Sequence, residues 1–372
     1  MKNPGVFIAA TGQNIGKTTT SLALLRRLLP KHPGLNFMKP VGQRTIERGG
    51  VEADEDVLLM KDVFHIEGFA RSMSPVTVPG GFTRDYLDDR KTNDMLKKAI
   101  MDGWNELSAN GEPVVVEGTG HAGVGSVFDM NNAQVAKMLN LPVVLIAQGG
   151  IGRPIDEITL NLALFESHGV KVKGVIFNKA KESKIPQMQE YCKKYLDKKG
   201  IAMLGVVEYN PVLSRPSLRR LSMDLKAEVL SGENNLDIVP TKIMTGASSL
   251  DYILNKSVKK TLVVTPATRS DIIMAAAHIY DLAKQGEKME QEFSGLFLTG
   301  EEPPHAAVLA SARFSGIPIL YIKKDTFETV EAIYSSLGKT LATDVEKLEI
   351  IDRIYGPAVD WNRFDAIING DV

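Results

Sequence analysis

At 372 residues the chain is longer than one hydrophobic core usually serves, so two domains are expected. Apolar residues make up 44% and charged residues 24%, the balance of a folded globular protein. The formal net charge of −1 excludes bulk affinity for nucleic acid or anionic membrane, and the single cysteine, Cys192, excludes an intramolecular disulfide and points to a reducing compartment.

The first two hundred residues alternate apolar runs with amphipathic stretches, the βαβ pattern of a parallel sheet. Strands are expected over 6–10, 113–117, 142–147, 173–178 and 202–207, and helices over 17–29, 92–108, 154–168 and 185–199. The strand segments are continuous apolar runs rather than alternating ones, as strands buried on both faces require. From 211 to 240 the pattern gives way to turn signals, among them Asn210-Pro211, Arg215-Pro216 and Ser231-Gly232-Glu233-Asn234-Asn235, around one short helical stretch. Beyond it βα alternation resumes, with strands over 261–265, 295–299 and 317–322. The expected domains are 1–210, a junction at 211–240, a smaller α/β domain at 241–345 and a tail at 346–372. No apolar run reaches the roughly 18 residues that cross a bilayer, and Met1-Lys2-Asn3-Pro4-Gly5 leads directly into a strand without room for a signal peptide. A soluble cytoplasmic protein is the expectation.

The strongest chemical signal is Val6-Phe7-Ile8-Ala9-Ala10-Thr11-Gly12-Gln13-Asn14-Ile15-Gly16-Lys17-Thr18-Thr19, a buried strand, a glycine-containing loop and a helix start. Backbone N–H groups of such a loop and of the first helical turn bind phosphate oxygens. Lys17 is then placed to contact the β- and γ-phosphates, and the Thr18 hydroxyl to ligate Mg²⁺. Thr11, Gly12, Gln13, Asn14, Ile15, Gly16, Lys17, Thr18 and Thr19 are the candidate nucleotide contacts, with ATP and Mg²⁺ as the expected ligands. Where the common loop has its first Gly, this one has Ala10 or Thr11.

Ala10 to Thr18 resembles the loop of dethiobiotin synthetase-like P-loop proteins, Gly-Thr-Asp-Thr-x-x-Gly-Lys-Thr. Other segments follow in that family's order. Phe37-Met38-Lys39-Pro40-Val41 is similar to its second strand, and the resemblance places Lys39 near the γ-phosphate and the substrate. Val114-Val115-Val116-Glu117-Gly118-Thr119-Gly120 resembles the strand whose glutamate ligates Mg²⁺, which makes Glu117 a metal candidate. Ala53-Asp54-Glu55-Asp56 resembles the segment that supplies a further aspartate: Asp56 is the choice, Asp54 the alternative, and an acidic first helical turn accounts equally for both. Gly174-Val175-Ile176-Phe177-Asn178-Lys179 is similar to the strand whose terminal Asn contacts the adenine, so Asn178 joins the nucleotide contacts. Lys17 and Lys39 are the candidate catalytic residues, because a second lysine beside the γ-phosphate stabilises charge spread over its oxygens.

Gln43 stands where the synthetase has a small hydroxyl residue, and His121 replaces the last Gly of its Glu-Gly-Ala-Gly-Gly run, so substrate contacts differ. Downstream, Met244-Thr245-Gly246-Ala247, Val263-Val264-Thr265-Pro266-Ala267-Thr268-Arg269-Ser270-Asp271 and Gly295-Leu296-Phe297-Leu298-Thr299-Gly300 resemble the DRTGG domain, with Thr268 and Glu301 departing from its naming residues. This order of domains resembles the N-terminal part of long phosphotransacetylases. The 372 residues hold no counterpart of the phosphotransacetylase catalytic domain, and Cys192 in Glu190-Tyr191-Cys192-Lys193-Lys194 lies on a helix rather than in a glutaminase turn. The resemblances together imply an ATP-binding regulatory module or, as the alternative, an ATP-dependent synthetase acting on a carboxylate or carbamate. The partners they imply are nucleotide, a small carboxylate substrate or effector, and a second copy in a homodimer.

Overall fold

The computed structural model describes residues 4–287, 291–336 and 338–371. Residues 1–3, at the start of the run into the first strand, lie outside the described residues. The chain divides into two compact units, Met1–Tyr209 with Glu349–Val372, and Asn210–Leu348.

The first unit is built on a six-stranded, all-parallel sheet of β1 (Gly5–Ala10), β2 (Asn36–Met38), β3 (Val114–Glu117), β4 (Val143–Gln148), β5 (Val172–Ala180) and β6 (Ala202–Glu208), in the order β6-β5-β4-β1-β3-β2. The continuous apolar runs behave as expected: every residue of β1 and β3 is buried, and so is β4 except for Gln148. Register is fixed around β1, where Phe7 pairs with Val116 on one side and Val143 on the other. Parallel neighbours need crossovers, and these are the helices α1 (Lys17–Leu28), α2 (Glu55–Phe64), α3 (Asn93–Leu107), α4 (Asn132–Met138), α5 (Gly152–Ser167) and α6 (Ile185–Lys198). A hairpin of Thr45–Arg48 and Val51–Asp54, unforeseen in the sequence, runs into α2.

The second unit holds a five-stranded sheet of β7 (Glu228–Ser231), β8 (Lys242–Thr245), β9 (Thr261–Pro266), β10 (Phe293–Thr299) and β11 (Ile319–Ile322), in the order β7-β11-β10-β9-β8, with only β7 antiparallel. Alternate residues feed two cores. Val263, Leu296, Leu298 and Ile319 enter one, with Ile272 and Ile273 of the helix Ser270–Lys284. Leu262, Val264, Phe297 and Leu320 enter the other, with Leu218 and Leu221 of α7 (Leu218–Leu225). Residues 211–240, expected to form the junction, thus supply this unit with both α7 and the edge strand β7.

The expected tail at 346–372 is helical. It contains all but the first residue of α8 (Val345–Ala358) and the whole of α9 (Trp361–Asn369), and from Glu349 onwards it belongs to the first unit. There the Asp360 amide donates to the Leu204 carbonyl at 2.7 Å, and Trp361, Phe364, Ile367 and Ile368 are buried.

Candidate functional site

Ligands of open parallel sheets lie beyond the carboxyl ends of the strands, and the predicted site residues gather at that edge. The loop after β1 is held at its base by the Thr11 amide, which donates to the Ile146 carbonyl at 2.9 Å. Gln13 and Asn14 are exposed at its tip, and Asn14 takes a left-handed conformation at φ 56°. Gly16, at φ 109°, closes the loop. Here a Cβ would be strained by the backbone and would also collide with the Asn178 amide. α1 starts immediately afterwards, with no side-chain cap and no acid in its first turn. Its end therefore keeps the partial positive charge that favours an anion.

Lys17 is buried and donates to the Gly120 carbonyl at 2.9 Å, which draws the loop after β3 towards the loop after β1. One turn of α1 lies against Glu117 at the end of β3. Thr18 Oγ1 donates to Glu117 Oε1 at 3.0 Å, and Ser21 Oγ to Oε2 at 2.7 Å. Ser21 was not anticipated, yet it lies three residues after Thr18 and so on the same helix face.

Beyond Glu117 lies a nest of buried charges. Lys39 directly follows β2, and its ammonium bonds Asp56 Oδ2, with Asp54 Oδ1 at 3.3 Å and Glu117 Oε1 at 3.5 Å. None of the four is more than 6% exposed. Burial opposes the charge on Lys39, but Asp56, Glu117 and Asp54 more than offset it and hold the ammonium well above the ordinary lysine range. The Glu117 carboxyl is pushed up by burial and by Asp56, against the pull of Lys39 and the Ser21 hydrogen bond. The two aspartates differ in their duties. Asp54 caps α2, accepting from the Asp56 amide at 3.0 Å and from the Arg44 amide at 3.3 Å, whereas Asp56 makes the hydrogen bond to Lys39.

Lys17, Thr18, Lys39, Asp56 and Glu117 thus come together on the β3–β2 side of the loop. Asn178 lies on the other side, at the end of β5. It is buried, and its Nδ2 donates to the Ile15 carbonyl at 2.8 Å. The next residue, Lys179, reaches the Asn14 carbonyl with Nζ at 2.7 Å, and burial lowers its pKa. Beneath the loop, Thr20 Oγ1 donates to the Gly16 carbonyl at 2.9 Å and lies 3.2 Å from the hydroxyl of Tyr355 on α8. Nothing local in the sequence signals Tyr355, which is 335 positions from Thr20.

The loop after β3 is shaped by two asparagines that sequence reading passes over. Asn132 bonds both the amide and the carbonyl of Thr119 and also the His121 carbonyl, while Asn161 accepts from the Ala122 amide at 2.9 Å. His121 is exposed and its Nδ1 accepts from the Gly123 amide at 3.1 Å, the arrangement of a turn residue. Gln43 is exposed as well.

Among the described residues, no three His, Cys, Asp or Glu side chains form a group arranged to hold a metal ion unaided. The Thr18 hydroxyl, Asp56 and Glu117 are all oxygen donors, the ligand type that Mg²⁺ takes alongside phosphate. Also among the described residues, no helix is long and apolar enough to cross a membrane.

Comparison with known proteins matches residues 4–217 to a family model described as AAA domain, and residues 220–336 to one described as DRTGG domain. The chain is 25% identical to a phosphate acetyltransferase of Nitratidesulfovibrio vulgaris, covering 97% of this chain and 51% of that protein. It is 26% identical to a phosphate acetyltransferase of Pseudomonas putida, over 95% of this chain and 50% of that one. An ATP-dependent dethiobiotin synthetase of Methanococcus vannielii is 26% identical over 54% of this chain and 92% of its own length. The chain therefore spans about half the length of the phosphate acetyltransferases it matches.

Proposed function

Because this chain belongs to the AAA-domain family, as a dethiobiotin synthetase-like P-loop domain continued by a DRTGG domain, we propose that its first unit binds ATP with Mg²⁺ and that its second unit responds to the nucleotide. The observation that carries this reading is the unbroken line of contacts from Thr18 through Glu117 to Lys39 and Asp56, with Lys17 beside Thr18 bonded to the loop that follows Glu117. Loop N–H groups and Lys17 receive the phosphates, with Lys17 exchanging the Gly120 carbonyl for a charged partner. The phosphate chain leads towards Lys39, which places the base on the opposite side, near Asn178 and Lys179. When bound, Mg²⁺ would neutralise phosphate charge from a shell of Thr18, Asp56 and Glu117. The protein is cytoplasmic and a homodimer on this reading.

The test is thermal. MgATP at 100 times Kd should stabilise the protein by about 2.7 kcal/mol, and Lys17→Ala should remove the effect. An equal shift in both proteins would mean that the loop does not hold the phosphates.

A second reading, phosphoryl transfer to a carboxylate or carbamate, is favoured by the position of Lys39, a second cation at the γ-phosphate end of the loop. Phosphate release with MgATP alone, then with dicarboxylates, diamino acids and bicarbonate in turn, separates the two readings. Stimulation by one of these acceptors supports a synthetase, and an unchanging slow rate supports the regulatory module.

A further inference from the structure

We propose that Lys39 and a divalent cation are alternative occupants of one carboxylate nest, and that a terminal phosphate decides which of them sits there. The inference rests on the reading of Thr18, Asp56 and Glu117 as the metal shell. It adds that this shell is closed to metal until a nucleotide is bound.

The argument starts from charge. Asp54 and Asp56 at the start of α2 and Glu117 at the end of β3 are 1%, 3% and 0% exposed. Carboxylates so buried need a cation, and the Lys39 ammonium supplies it, within 3.5 Å of all three. The two carboxylates that would ligate a metal, Asp56 and Glu117, are among those the ammonium holds. Glu117 Oε1 in particular serves the Thr18 hydroxyl at 3.0 Å and the ammonium at 3.5 Å. A divalent ion bound to Thr18, Glu117 and Asp56 would lie within a few ångströms of the ammonium, and two cations at that distance in a buried site repel strongly. One must leave.

The lysine does not leave unaided. Its side chain is only 8% exposed, so the ammonium cannot move into water without carrying its stem out of the site. It needs another anion nearby. On the proposed reading the neighbouring loop holds phosphate, and the terminal phosphate of a nucleotide seated at Lys17 and Thr18 supplies that anion. Mg²⁺ for its part dehydrates reluctantly and prefers one or two carboxylates together with phosphate. Nucleotide therefore does two things at once: it gives Lys39 a new partner and completes the metal's shell. Metal and nucleotide binding become mutually dependent, and by linkage each tightens the other equally.

The experiment measures protein-bound Mn²⁺ by electron paramagnetic resonance, on the full chain, with and without ATP. It uses wild type, Lys39→Met and Lys39→Gln. Wild type should bind Mn²⁺ about tenfold or more tightly with ATP than without it. Both variants should bind Mn²⁺ without ATP about tenfold more tightly than wild type, and Mn²⁺ alone should raise their melting temperatures but not that of wild type. A variant that folds only on addition of Mn²⁺ gives the same answer. Equal Mn²⁺ binding by wild type with and without ATP would overturn the exchange while sparing the metal shell. Folded variants that bind Mn²⁺ no better than wild type would overturn it too. If the variants stay unfolded even with Mn²⁺, the wild-type comparison decides alone. Absence of bound Mn²⁺ in wild type even with ATP would instead remove the metal reading on which the inference stands.

Discussion

Glu117 is engaged at both carboxylate oxygens by hydroxyls of α1, and this fixes it as the hinge between the loop and the charge nest. Glu117→Gln keeps the shape and removes the charge. It should weaken Mg²⁺-dependent ATP binding about tenfold or more while changing metal-free binding less, as titration calorimetry with and without chelator would record. Asp56→Asn should behave alike, and Asp54→Asn should matter less, because Asp54 is occupied as a helix cap. If Asp54→Asn proves the more damaging, the metal ligand is Asp54. Tyr355→Phe removes only the hydroxyl facing Thr20 and should cost about 1 kcal/mol in urea unfolding. No loss would mean that this contact stabilises nothing. Cys192 is fully buried and burial pushes its thiol up to about 11. Since the thiolate is the nucleophile, alkylation at pH 8 should be about a hundredfold slower in the folded protein than in urea, and should accelerate as pH approaches that value. Equal rates in both states would contradict the burial.

At the scale of elements, most of the two sheets is legible because buried parallel strands must be continuous apolar runs, and β1, β3, β4, β5 and β6 each write one. The three strands expected in the second unit correspond to β9, β10 and β11. What escapes is short or non-local. β7 and β8 are four residues each, and their alternation is too brief to outweigh the turn signals around them. In α8 and α9 the signal is present: Ile350, Ile351, Ile354 and Tyr355, then Trp361, Phe364, Ile367 and Ile368, recur at helical spacing. Nothing in that spacing says that the helices return to the first unit. In the site, charged residues at strand ends are readable from sequence, whereas Ser21 and Tyr355 are defined by packing across the fold. α7 gives an elemental prediction. Leu221 is fully buried in the second unit, so Leu221→Ala should cost about 2–5 kcal/mol in the unfolding of that unit, followed by urea titration. A cost under about 0.5 kcal/mol, the range of surface substitutions, would mean that α7 does not cover the sheet.

For the whole molecule, the chain passes between units after Tyr209 and again after Leu348, the second time within α8. That helix carries Tyr355, whose hydroxyl meets Thr20 beneath Gly16. The chain thus leaves the second unit at Leu348 and within a few residues reaches Tyr355, which hydrogen-bonds beneath the phosphate loop, and the regulatory reading requires that nucleotide change the free energy of both units. Couplings of about 1–3 kcal/mol are typical of such systems. Hydrogen exchange of the full chain with and without MgATP, with Lys17→Ala as control, tests this most directly. The account predicts added protection in the loop from Thr11 to Thr18 and a change in protection from Thr265 to Asp271 of the second unit, both absent in Lys17→Ala. Protection confined to the loop would contradict the regulatory reading and leave the synthetase reading ahead. No change anywhere would contradict nucleotide binding itself.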